Sequence, residues 1–223
     1  MKNYFKTFLI AFIAIIATVA VCYAAEYKYS DLTWITKDRQ GREIVNVHAA
    51  TREITQATDI NVMDGYPDGT FRPDEPIKRC EFIKMLIGLA TNRTFDFGSV
   101  DSKYNTWYGP YVTVAEMQGI IEKEQYTEKE LEEPITRLEM ILMLAKTQIK
   151  MKGIKQSQLG KLVYTDIDSL TQDEKDLVLH AAQYDLLEGM KDGSVKLLEP
   201  NKNLTRGEAA IALMRIYWCT KDL

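Results

Sequence analysis

Three short phrases of this chain place an arginine at nearly the same point: Ile77-Lys78-Arg79-Cys80-Glu81, Ile135-Thr136-Arg137-Leu138-Glu139 and Leu204-Thr205-Arg206-Gly207-Glu208. Each phrase opens an apolar run with helical spacing, which predicts Arg79, Arg137 and Arg206 at the starts of three helices. A helix start already carries partial positive charge, so a cation there is mildly unfavourable. Three in the same place ask for an anion. A guanidinium fork matches a carboxylate through two parallel hydrogen bonds, and free N–H groups at the helix start would add donors. The anion is either an external ligand or an acidic neighbour from the adjoining unit, and the residues alone leave both open.

Much of the rest of each phrase is structural. Thr136 with Glu139, and Thr205 with Glu208, fit a capping box in which hydroxyl and carboxylate satisfy reciprocal backbone N–H groups. Ile77 with Phe82 and Ile135 with Met140 fit the accompanying hydrophobic staple. Lys78 stands where the first unit would need its capping hydroxyl.

Other chemistries find less support. Glu132-Glu133 and Asp173-Glu174 supply paired acids, but sequence neighbours on a helix diverge by about 100°, and no nucleophile, zinc-protease or phosphate-loop motif accompanies them. The chain reads as a non-enzyme. Asp64, Asp68 and Asp74 do not follow the spacing of a calcium loop. His48 and His180 lie far from each other and from the cysteines, so no zinc site is expected, and no cofactor is implied. Cys80 and Cys219 read as small buried hydrophobes, with a disulfide between them left open.

The elements that position the arginines emerge as repeats. Tyr29-Ser30-Asp31-Leu32, Phe97-Gly98-Ser99-Val100 and Tyr164-Thr165-Asp166-Ile167 precede the three phrases by 50, 40 and 42 residues. The first unit is longer, with Lys37-Asp38-Arg39-Gln40-Gly41-Arg42 as an added polar loop. A first helix is expected in each: through Val47, Ala50, Ile54 and Ala57; through Tyr111, Val114 and Ala115; and through Leu177, His180 and Ala181. Then comes a turn, emphatic in Gly65-Tyr66-Pro67-Asp68-Gly69, shorter in Gly189-Met190-Lys191-Asp192-Gly193 and replaced by charged residues at 122–130. The second helix follows each arginine. Linkers are expected at Thr91 to Phe95 and Gln148 to Lys161. A two-helix unit of this size is marginal by itself, so three copies should share one core.

Composition fits an exported binding module. The 223 residues are 46% hydrophobic with a formal net charge of −4, and no basic stripe offers a nucleic-acid surface. Lys2 and Lys6, the uncharged run Thr7 to Ala25 and the small residues Ala24-Ala25 fit a signal peptide. An uncleaved anchor is the rival, since the run approaches spanning length. Cleavage would remove both lysines and leave a charge of −6. Trp107-Tyr108 is expected to open the first helix of the second unit, with Trp107 in the core.

Asp64 to Asp74 followed by Ile77-Lys78-Arg79-Cys80-Glu81 resembles the S-layer homology family, whose pattern is a Gly-Tyr-Pro-Asp-Gly turn followed by Ile-Thr-Arg-Ala-Glu. The resemblance extends over about Tyr29 to Trp218. It implies a mainly α fold of three tandem two-helix repeats packed as a pseudo-threefold bundle, with grooves between repeats. The boundaries would be 1–25 for the signal peptide, then 26–92, 93–150 and 151–223 for the repeats. It also implies a secreted module that holds non-covalently to the cell wall through an anionic secondary polysaccharide, pyruvylated polymers among them. Carried over residue by residue, ligand contact falls on Arg79, Arg137 and Arg206. Tyr66, Asp68 and Gly69 match the turn, the last two mainly as shapers of the loop. The alternatives are a surface-assembly bundle with degenerate grooves and binding to peptidoglycan itself. The family alanine is Cys80, Leu138 and Gly207 here. The bulk of Leu138 and the missing glycine turn weigh against the Arg137 groove and favour Arg79 and Arg206. Their replacement by alanine is expected to weaken binding and leave the fold intact.

Overall fold

The computed structural model describes residues 28–91, 95–153, 164–187 and 197–221. The expected signal peptide, with Cys22, and the turn at Gly189 to Gly193 lie outside these residues. The described chain is mainly helical. Its elements are strands β1 (Thr33–Lys37) and β2 (Glu43–Val47), then helices α1 (Thr51–Asp59), α2 (Arg79–Ala90), α3 (Gly109–Met117), α4 (Glu128–Leu131), α5 (Arg137–Lys152), α6 (Gln172–Gln183) and α7 (Arg206–Thr220).

The strands revise the expected polar loop. Residues 38–42 turn an antiparallel hairpin that pairs Thr33 with Val47 and Lys37 with Glu43, so Val47 belongs to a strand and not to the first helix. Trp34-Ile35-Thr36 and Ile44-Val45 favour extended backbone. Asp38 closes the turn, its carboxylate accepting from the N–H groups of Gln40 and Arg42 and from Arg42 Nε at 2.6 Å.

The three arginines do open helices α2, α5 and α7. Thr136 and Thr205 each accept from the N–H of the glutamate three residues on, and each glutamate returns to the threonine N–H. At α2 only the glutamate half survives: Glu81 accepts from the Lys78 N–H, while the Lys78 ammonium reaches Glu132 at 2.7 Å. Helices α1, α3 and α6 end alike, at left-handed Asn61, Gly119 and Asp185. The residue after each donates back to Ala57, Ala115 or Ala181.

The region from Gln148 is no linker. α5 continues to Lys152 and ends at left-handed Gly153. Thr147 and Gln148 look polar in sequence but are buried, and Gln148 Oε1 lies 3.0 Å from His180 Nε2 on α6. Residues 154–161 of that expected linker, and 92–94 of the other, fall outside the described residues. Cys80 and Cys219 are free thiols. Cys80 is fully buried, and burial pushes its thiol up to about 12.

Helices α2, α5 and α7 meet one another, and each carries one further helix: α3 lies on α2, α6 on α5 and α1 on α7. The first helix of each sequence unit therefore packs against the second helix of another unit, not its own. The segments leading into α2, α5 and α7 close a ring of backbone hydrogen bonds. Ile77 N–H donates to Leu204 O, Leu204 N–H to Ile135 O, and Ile135 N–H to Ile77 O, all at 2.9–3.0 Å. All three side chains are buried, so the ring satisfies polar groups that water cannot reach.

Candidate ligand-binding clefts

The ring decides what the helix starts can offer. Arg79 N–H donates to Glu133 O, Arg137 N–H to Lys202 O and Arg206 N–H to Glu75 O. Leu138 and Gly207 N–H donate to Pro200 O and Pro73 O. These backbone donors are committed inside the protein, so an anion at these helices would be gripped by side chains.

The three guanidinium groups meet different surroundings. Arg79, with its side chain 13% exposed, donates from Nε to Glu139 Oε1 at 2.8 Å and from Nη1 to Glu130 O at 2.9 Å. Tyr126 donates to the same Glu139 oxygen at 3.0 Å. Burial, and next the charge of Glu139, push the Tyr126 phenol upward, keeping it a donor. Arg206 is 6% exposed and crosses to the first unit. Its Nε donates to Phe71 O at 3.0 Å and its Nη2 to Asp64 O at 2.9 Å, over the faces of Phe71 and Tyr66. Both groups are occupied by the protein itself.

Arg137 differs. Its Nε is buried without a hydrogen-bond partner, and its side chain lines a small cleft of about 70 Å³ with Met140, Leu187, Glu208, Ile211 and Arg215. The carboxylate that corresponds to Glu139 is Glu208, whose Oε1 accepts from Lys202 Nζ at 3.0 Å. Burial disfavours the Glu208 carboxylate, but the Thr205 N–H, Lys202 and the nearby Arg137 charge outweigh it and hold the group below its usual range. The cleft therefore combines a guanidinium with an unmet donor and an apolar wall. Such a site suits a ligand with an acidic group on an apolar frame.

The turn residues shape a loop. Gly69 sits at φ 82°, a conformation that penalises side chains, although a Cβ there would meet nothing within 4 Å. Asp68 accepts from the Thr70 hydroxyl and N–H and from Arg72, contacts that hold its carboxyl down to about 2. Tyr66 lies beneath the guanidinium groups of Arg72 and Arg206, 3.9 and 4.9 Å from its ring centre. Among the described residues no three His, Cys, Asp or Glu side chains gather as a metal site.

Two residues escaped the sequence reading of the site. Asp31 accepts from the N–H groups of Phe71 and Arg72, and Asp166 accepts from those of Leu198 and Glu199. Arg72 and Glu199 share a left-handed backbone, φ 58° and 54°. Each aspartate thus fixes the same unfavourable bend ahead of a helix. The recurrence of aspartate in Tyr29-Ser30-Asp31 and Tyr164-Thr165-Asp166 was the available signal.

The S-layer homology domain model matches residues 44–83 and 163–210. Two stretches of this chain thus match the S-layer homology domain. The matches take in the Arg79 and Arg206 phrases, while Arg137 falls between them. The S-layer protein EA1 of Bacillus anthracis is 29% identical over 182 residues, 78% of this chain and 20% of that protein. An amylopullulanase of Thermoanaerobacterium thermosulfurigenes is 24% identical over 188 residues, 83% and 9% respectively. The exoglucanase XynX of Acetivibrio thermocellus is 23% identical over 176 residues, 78% and 15%. The chain spans a fifth or less of the length of these relatives. The stretch similar to this chain thus occurs in an S-layer protein, an amylopullulanase and an exoglucanase.

Proposed function

We propose that this chain is a non-catalytic, secreted anchoring module that holds to the cell wall. In this reading three S-layer homology units surround a pseudo-threefold axis, and the Arg137 cleft grips an acidic group of a secondary wall polysaccharide. The carrying observation is the buried Arg137 Nε that lacks a partner while its counterparts in Arg79 and Arg206 are satisfied. An unmet buried donor is unfavourable by about 1–3 kcal/mol, and a ligand carboxylate would relieve it. The names of the relatives fit: an anchor is a part that an amylopullulanase, an exoglucanase and an S-layer protein could share. Arg79 and Arg206 serve this reading as braces that hold neighbouring units together, and Tyr66, Asp68 and Gly69 as the loop that receives Arg206.

The test is retention of the purified protein on cell-wall sacculi before and after the secondary polymer is stripped. Arg137→Ala should lower retention at least tenfold with its thermal midpoint unchanged within about 2 °C. Retention that survives stripping would assign the ligand to peptidoglycan. Unchanged retention by the variant would remove Arg137 from the site. Absence of binding to either wall would favour a protein partner, a reading for which the exposed Ile35, Val45 and Val47 of the hairpin speak.

A further inference from the structure

We propose a second saccharide site on the face made by α2 and α3, which shares no lining residue with the Arg137 cleft between α5 and α7. There the Trp107 indole stacks on a sugar ring and Lys84 pairs with an acidic substituent of that sugar. The starting observation overturns the expectation that Trp107 is core. Tyr108 takes the inward position, buried and directed at Glu128 O, and Trp107 is left 56% exposed in the turn before α3. An indole this large in water is an unusual surface feature and a ready stacking platform.

Three neighbouring observations give the platform a ligand chemistry. Lys84 Nζ stands 5.4 Å from the Trp107 ring centre, and no carboxylate pairs with it among the described residues. Lys84 also lines a cleft of about 260 Å³ together with Asn61, Met85, Gly88, Phe97 and Tyr111. Phe97 and Tyr111 stack at 4.2 Å to form its aromatic wall. Sugars present an apolar C–H face beside polar hydroxyls, so aromatic rings with an adjacent amide and ammonium match both. Lys84 is the charged group of the described lining, which selects an acidic sugar over a neutral one.

Gly88 supplies a clean way to close the cleft. It lies within α2, and a Cβ built there meets nothing within 4 Å. A larger residue therefore enters open space and improves helix propensity. The proposal rests on the reading of this chain as a wall-glycan binder, but its readout is separate from Arg137.

The experiment follows the three indole N–H signals of Trp34, Trp107 and Trp218 in 15N-labelled protein, with Trp107→Phe assigning the relevant one. The probes are N-acetylmuramic acid, which carries a carboxylate, and neutral N-acetylglucosamine. A saturable shift of the Trp107 signal is expected with N-acetylmuramic acid, at an affinity at least fivefold above that for N-acetylglucosamine. Lys84→Gln should reduce the acidic sugar to the neutral level, Gly88→Phe should abolish the shift, and Arg137→Ala should leave it unchanged. No shift with either sugar overturns the proposal. So do equal affinities for the two sugars, or a shift that survives Gly88→Phe or disappears with Arg137→Ala. Loss of wall retention in Arg137→Ala beside an unmoved Trp107 response separates failure here from failure of the polysaccharide reading. Should Gly88→Phe prove unfolded, the exposed Lys84→Gln variant decides alone.

Discussion

Arginine at the same helix position has three fates in this molecule, each set by what the neighbouring segment offers. Glu139 meets Arg79, the carbonyls of Phe71 and Asp64 meet Arg206, and Lys202 takes the carboxylate that would have met Arg137. Removing Arg206 would leave two carbonyls without donors in a region where the residue itself is 6% exposed. We expect Arg206→Ala to lower stability by about 3 kcal/mol, a drop of roughly 6–12 °C in thermal midpoint, readable by circular dichroism. An unchanged midpoint would show that those carbonyls find water instead. The expectation that Arg206 and Arg79 can be replaced without structural consequence does not survive these contacts.

Helices and their caps were legible in the sequence because they are written locally. Thr136-x-x-Glu139 and Thr205-x-x-Glu208 with an apolar period behind them leave few other conformations, and the repeated arginine phrase marked the third helix start at Arg79. The hairpin was missed because Lys37 to Arg42 looks like a polar insertion. Its flanking strands carry Trp34, Ile35, Ile44 and Val45 on both faces and lack the alternation that marks a half-buried strand. Gln148 was missed for the opposite reason: its amide finds His180 across the α5–α6 contact, a partner 32 residues away. The fates of the arginines were equally out of reach, since they depend on which unit lies beside which. At this scale Asp31 makes the sharpest prediction. Its two oxygens hold Phe71 and Arg72 N–H at 2.8 and 2.6 Å, and Arg72 has an unfavourable backbone. Asp31→Ala should cost about 3 kcal/mol, seen as a lower denaturant midpoint with an unchanged slope.

Linear repeat proteins lose only a neighbour when a terminal unit is removed, because each unit touches the next alone. Here α7 packs on α1 and its leading segment completes the hydrogen-bond ring. A chain ending at residue 153 would lack α6, α7 and two of the three ring bonds, exposing faces of both α1 and α5. We expect that fragment to show no cooperative unfolding transition by calorimetry. A sharp transition would mean that the first two units stand by themselves.

The bond from Arg206 to Asp64 joins residues 142 apart. Contacts of that reach are slow to form, and none of them exists until position 206 has left the ribosome. A growing chain of this sequence therefore lacks the α1–α7 contact and the closed hydrogen-bond ring until its synthesis is nearly complete. That timing keeps it threadable, so a polypeptide bound for export would reach the translocation machinery before its own last helix could lock it shut.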